Sequence, residues 1–102
     1  MDDRQMGRVL GLNYYELSLF KALDKIEPLS LSELARTAKI PRSRSYDVIA
    51  SLVHRGLAKQ KSKEFKRPMA FLRNPDSLII GNYAKQFHAR LKAIKGALKD
   101  GK

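Results

Sequence analysis

The chain has 102 residues, enough for one domain with one modest core. It has no cysteine, which excludes disulfides, thiolate metal sites and thiol catalysis. Its formal net charge is +11, from 21 Lys and Arg against 10 Asp and Glu, so a polyanion is the partner its composition favours.

The charge is unevenly spread. Residues 1–35 carry 4 basic and 6 acidic groups, residues 36–73 carry 11 and 2, and residues 74–102 carry 6 and 2. Apolar residues make up 43% of the chain, which argues for a folded protein. The apolar runs are short, for example Leu78-Ile79-Ile80, far below the ~20 residues of a membrane helix. Met1-Asp2-Asp3-Arg4-Gln5 is acidic and is no secretory signal, so a cytoplasmic, DNA-associated protein is expected.

In chain order, residues 1–8 read as frayed. A first helix is expected from about Asn13 to Lys25. Tyr14, Leu17, Phe20, Ala22 and Leu23 form its apolar face, Asn13 its cap and Glu16 the capping-box partner. A second helix begins at Ser30, where Ser30-Leu31-Ser32-Glu33 has capping-box form, and stops near Lys39. A third starts between Pro41 and Ser43, with Tyr46, Ile49, Leu52 and Val53 toward the core and Gly56 closing it in a left-handed conformation. Two short strands follow, Leu57 to Lys61 and Pro68 to Leu72, joined by a basic hairpin. From Asp76 onward the pattern is helical. Ile80, Ala84, Phe87, Leu91, Ile94 and Leu98 are spaced 4, 3, 4, 3, 4, a heptad seam suited to a second copy of the chain. The fold class is therefore mainly α with a small β-hairpin. Residues 1–75 are expected to form a winged helix-turn-helix, and residues 76–102 a dimerisation helix.

The second helix of such a pair enters the major groove with its N-terminal residues toward the base edges. Here that end reads Pro41-Arg42-Ser43-Arg44-Ser45. Arginine can bond guanine in bidentate fashion, and serine can serve bases or phosphates. The wing offers Lys59, Lys61, Lys63, Lys66 and Arg67 to the backbone or the minor groove.

These residues also carry a resemblance. The stretch from Leu12 to Leu78 resembles the N-terminal DNA-binding domain of archaeal TrmB-like transcription regulators. The similarity lies in Leu12-Asn13-Tyr14-Tyr15-Glu16, Pro28-Leu29-Ser30-Leu31-Ser32-Glu33-Leu34-Ala35, Ile40-Pro41-Arg42-Ser43-Arg44-Ser45-Tyr46-Asp47-Val48, Ser51-Leu52, Gly56-Leu57 and Arg67-Pro68-Met69-Ala70-Phe71. The resemblance implies that Arg42, Ser43, Arg44, Ser45 and Tyr46 belong to the recognition helix. The family typically has valine at the position of Ser45, which implies a less buried position in this chain. Full-length members carry a sugar-binding effector domain. This chain ends where that domain would begin, so sugar sensing is not carried over and no small-molecule effector is expected.

Other residues have plainer readings. Tyr46 is a core residue or a base contact, and Tyr14, Tyr15 and Phe20 serve core or dimer packing. His54 is a helix-end cation and His88 is solvated; two distant histidines without cysteine make no zinc site. Phe65, at the wing tip, is a groove wedge or a packing residue. Asp47 is a cap or a partner of Arg44 rather than a base reader. No nucleophile–base pair, Gly-rich phosphate loop or catalytic carboxylate pair is present in the sequence, so neither an enzyme nor a cofactor is expected. The expected function is a sequence-specific, homodimeric regulator of double-stranded DNA. The alternative is an architectural chromatin protein with low specificity, and a third class, a module serving only protein assembly, fits the basic residues poorly.

Overall fold

The computed structural model describes residues 2–61 and 69–100. Its elements run α1 (Asp3–Leu10), α2 (Tyr14–Ala22), β1 (Leu29–Ser30), α3 (Leu31–Ala38), α4 (Arg42–His54), β2 (Ala58–Gln60), β3 (Ala70–Arg73) and α5 (Asp76–Asp100).

The chain's start is helical rather than frayed. Asp2 accepts from the Gln5 amide and the Gln5 side chain returns the bond to the Asp2 N–H, a reciprocal cap that satisfies free donors of the first turn. Gly11 ends α1 in the left-handed region. Gly7 faces the body of the protein. A Cβ there would stand 3.2 Å from the Leu12 carbonyl, so the missing side chain permits the close approach.

The expected capping box of α2 is present, with Asn13 and Glu16 bonding each other's backbone N–H groups. The helix stops at Ala22, earlier than Lys25. The Asp24 carboxylate accepts from Ile26 and Glu27, an Asx-type turn that competes with another helical turn. These two bonds hold the Asp24 carboxyl below its ordinary value. Ser30 caps α3 through the Glu33 N–H. Lys39, at φ 58°, then turns the chain toward α4, whose N-cap position is Pro41.

The sheet has three antiparallel strands in the order β1-β3-β2, one more than the sequence suggested. Leu29 pairs with Phe71, and Gln60 faces Phe71 from the other side. Helices α2, α3 and α4 pack on one another around Leu19, Leu34 and Leu52, with Leu57, Ala58 and Phe71 closing the core from the sheet. Burying each large side chain stabilises the fold by roughly 1.5–3 kcal/mol.

Gly56 joins α4 to β2 at φ 77°, as its position predicted. A Cβ there would also lie 2.3 Å from Asn82 Nδ2, so both backbone angle and space require glycine. Its carbonyl accepts from Asn74 Nδ2 at 2.8 Å.

Among the described residues, helix α5 is anchored in the core through its first two turns. Ile79 enters the core, and the Tyr83 hydroxyl donates to the Leu10 carbonyl of α1. Burial of the phenol pushes the Tyr83 pKa up, so it stays protonated. Every residue from 84 to 100 is exposed, and at ~1.5 Å per residue that stretch extends about 25 Å from the body. Among the described residues no helix is long and apolar enough to cross a membrane, and no cluster of three or more His, Asp or Glu could hold a metal ion.

Candidate nucleic-acid interface

The position of α4 is set by a polar junction with α2. Glu16, only 6% exposed, receives the Asn13 N–H on one oxygen and the Ser51 hydroxyl on the other. The Arg55 Nε lies 3.4 Å from the Glu16 carboxylate, while its Nη1 donates to the Gly11 carbonyl at 3.0 Å. One carboxylate thereby ties the start of α2 to both the last turn of α4 and the α1–α2 turn. Burial by itself would raise the Glu16 pKa. The hydrogen bonds from Asn13 and Ser51, with the Arg55 charge, outweigh it and hold the group below its ordinary 4.5.

A lowered folded-state value stabilises the protein above the unfolded value near 4.5, and that contribution is lost as pH falls through the folded value. Glu16→Ala should therefore cost about 2–3 kcal/mol at neutral pH, from the lost cap and charge-assisted bonds. The difference from the parent should shrink toward pH 3. Thermal denaturation at pH 7 and pH 3 checks both; an equal loss at the two values would contradict the charge-based account.

On the opposite side α4 presents its first two turns to solvent. Arg42, Ser43, Arg44, Tyr46, Asp47 and Ala50 are all exposed. Arg42 Nη2 donates to Tyr46 Oη at 3.4 Å, aligning the two across one turn. Tyr46 is 53% exposed and so belongs to the outer face rather than the core. Val53 is also partly exposed, and Val48 takes the inward place beside Ile49 and Leu52.

Ser45 departs from the expected set. It is wholly buried, and its hydroxyl donates to the Arg42 carbonyl at 2.6 Å, inside the helix. It packs the helix against the core and offers DNA nothing in this conformation. Nor does the expectation of a less buried position hold: serine is small enough to sit inside once its hydroxyl is satisfied by the preceding turn.

Lys59 and Lys61 project from the β2 edge and are exposed. Lys63, Lys66, Arg67 and Phe65 lie outside the described residues. Between α4 and the sheet runs a groove of about 440 Å³, lined by Tyr46, Val53, His54, Gln60 and Met69 among others. Sequence reasoning missed this groove, because residues 9–23 positions apart form it only after β2 and β3 pair. Tyr14 is 79% exposed and contributes nothing to the core, whereas Phe20 is buried as expected. His88 is exposed, its ring steeply tilted to that of Phe87. Asp47 makes neither a cap nor an ion pair with Arg44 among the described residues.

The seam of α5 is open on the single chain. Ile80, Ala84, Phe87, Leu91, Ile94 and Leu98 are all exposed, Phe87 by 59% and Leu98 by 74%. Ile79 and Tyr83 occupy the adjoining face; Ile80 and Phe87 border open clefts against the body, while Leu91, Ile94 and Leu98 lie farther along the helix.

Three helices around a short sheet, with an exposed Arg-rich start to the third, define a winged-helix protein of the transcription-regulator class. The family model described as "Sugar-specific transcriptional regulator TrmB" matches residues 6–73, two thirds of the chain, and the chain belongs to that family. The solved structure of TrmBL2, described as an archaeal chromatin protein with a novel mode of DNA binding, is 25% identical with a TM-score of 0.80. That match covers 99% of this chain and 39% of TrmBL2, so the chain spans about two fifths of that protein's length. A possible transcriptional regulator from Methanosarcina mazei Go1 is 12% identical with a TM-score of 0.76, covering 93% of this chain and 83% of its own. A MarR family transcriptional regulator from Silicibacter pomeroyi DSS-3 is 19% identical with a TM-score of 0.58, covering 94% and 69%. At such identities the last two establish the fold alone. No curated protein matches the sequence.

Proposed function

We propose that the chain is a sequence-specific regulator that binds double-stranded DNA as a homodimer, without catalytic activity. The observation that carries the reading is the exposed first half of α4, where Arg42, Ser43 and Arg44 face solvent on a helix narrow enough to enter the major groove. The same helix is held from behind by the Glu16 junction, so it meets DNA as a rigid element. Lys59 and Lys61 supply phosphate contacts, together with Lys63, Lys66 and Arg67 of the segment that follows in sequence. The α5 seam of Ile80, Ala84, Phe87, Leu91, Ile94 and Leu98 supplies the contact between copies.

Helix and wing divide the work. Lysine is a flexible point charge, whereas arginine carries a planar fork that matches guanine. Arg44→Ala should cost ~1–3 kcal/mol on the preferred site and less on random duplex. Lys61→Ala should weaken all sequences alike and lower the salt slope by roughly 1. Titrations at several salt concentrations measure both; equal losses on preferred and random DNA for both variants would contradict the division.

A second reading is favoured by one observation, the likeness to TrmBL2, a chromatin protein, along nearly the whole chain. In that reading the same basic surface coats DNA with little base preference. Selection of bound duplexes from a random pool near physiological salt separates the two. A sharp motif supports the regulator, and a flat profile supports the coat protein.

A further inference from the structure

Residues 36–61 carry a single carboxylate, Asp47, amid seven lysines and arginines. It sits on the outward face of α4, on the same stripe as Ser43, Tyr46 and Ala50. Asp47 lies five residues into α4, about 7.5 Å along the axis, within the part that a major groove receives. Arg44, one turn back, leaves it unpaired among the described residues, and Arg42 is engaged with Tyr46 instead.

A carboxylate in this place meets two kinds of surface. Against phosphate it is repelled, at short range and with little screening. Against base edges it can only accept hydrogen bonds, and the major groove offers two donors, cytosine N4 and adenine N6. Adenine sets its N7 acceptor beside the N6 donor, which opposes the second carboxylate oxygen. Cytosine sets no acceptor there.

Resting on the reading that α4 enters the major groove, we propose that Asp47 is a specificity-determining residue that reads a cytosine amino group in each half-site. It acts in two directions. It accepts from cytosine N4 in the correct register, and it penalises registers that turn the carboxylate toward phosphates or toward the acceptors of guanine and thymine. The guanine paired with that cytosine presents O6 and N7 in the same groove, the pattern that a neighbouring arginine fork takes.

The test is selection from a random duplex pool with the wild type, Asp47→Ala and Asp47→Asn, followed by titration on the resulting sites and on random duplex. Asp47 is exposed and caps nothing, so both variants should keep the wild-type melting temperature. The wild type should show one C·G position per half-site whose replacement weakens binding about tenfold. Asp47→Ala should level that position, leave the others unchanged and bind random duplex several-fold more tightly. Asp47→Asn should shift the preference there toward adenine, whose N6 and N7 match an amide. A motif retained unchanged by both variants overturns the role of Asp47 and leaves the regulator reading intact. A pool already flat for the wild type overturns both.

Discussion

Leu91→Glu is expected to convert a dimer into a monomer while leaving the winged domain folded. Leu91 lies midway along the α5 seam, beyond the anchoring residues Ile79 and Tyr83, so the substitution removes nothing from the core. On a single chain the seam leaves Phe87, Ile94 and Leu98 in water, and a contiguous apolar stripe of this length marks an interaction surface. In a dimer each copy of the change removes roughly 1.5–3 kcal/mol of apolar burial and adds the cost of a desolvated carboxylate. Two copies should therefore raise the dimer dissociation constant by at least ~10³-fold. Light scattering at micromolar concentration reads the outcome directly. A wild type that is monomeric there refutes the assignment of α5, and a variant that stays dimeric moves the interface elsewhere.

The second large effect concerns DNA geometry. A two-fold dimer presents two equivalent α4 helices, so its preferred site should be an inverted repeat. Both helices reach one face of the duplex when half-site centres lie about one turn, ~10 bp, or a multiple apart. Inserting about 5 bp between half-sites turns one of them to the far side. In the proposed dimer, where α5, continuous to Asp100, joins the copies, the protein cannot follow without breaking its seam or releasing a half-site. Linking two binding events typically gains 10²–10⁴ in affinity, so the insertion should cost roughly 10²-fold or more. Restoring a full turn with about 10 bp should recover part of the loss. Unchanged binding to the 5 bp insertion would count for phosphate tracking without paired half-sites.

How far the sequence reached depended on the range of the interactions involved. Local signals were legible: the Asn13–Glu16 box, the Ser30 cap, the left-handed Gly56 and the continuous α5 all follow from residues within one or two turns. Helix α1 had a comparable signal in Asp2 and Gln5, but its charged, short segment hid the apolar face formed by Met6, Gly7 and Leu10. Strand β1 could not be read, because two residues carry no period and its partner, β3, lies some forty positions away.

The interface was legible in composition and partly misread in phase. Two inward sets compete on α4. Tyr46, Ile49, Leu52 and Val53 look apolar throughout, whereas the true set, Ser45, Val48, Ile49 and Leu52, begins with a polar residue. Polarity misled because the Ser45 hydroxyl is satisfied within its own helix, which makes it a small core residue. Once the phase is corrected, Tyr46 moves to the exposed face, beside Asp47. The Glu16–Ser51–Arg55 junction spans 35 and more residues and has no sequence signature. It decides how firmly α4 is held.

Hydroxyl-radical footprinting on a selected site shows whether this chain reads DNA as a dimer through α4. A dimer reading DNA through α4 should leave two protected patches related by two-fold symmetry, on one face of the duplex and about one turn or a multiple apart, with protection lost on Arg44→Ala at salt that the wild type tolerates. Continuous protection along the duplex, with no symmetric phasing and no dependence on Arg44, would contradict it.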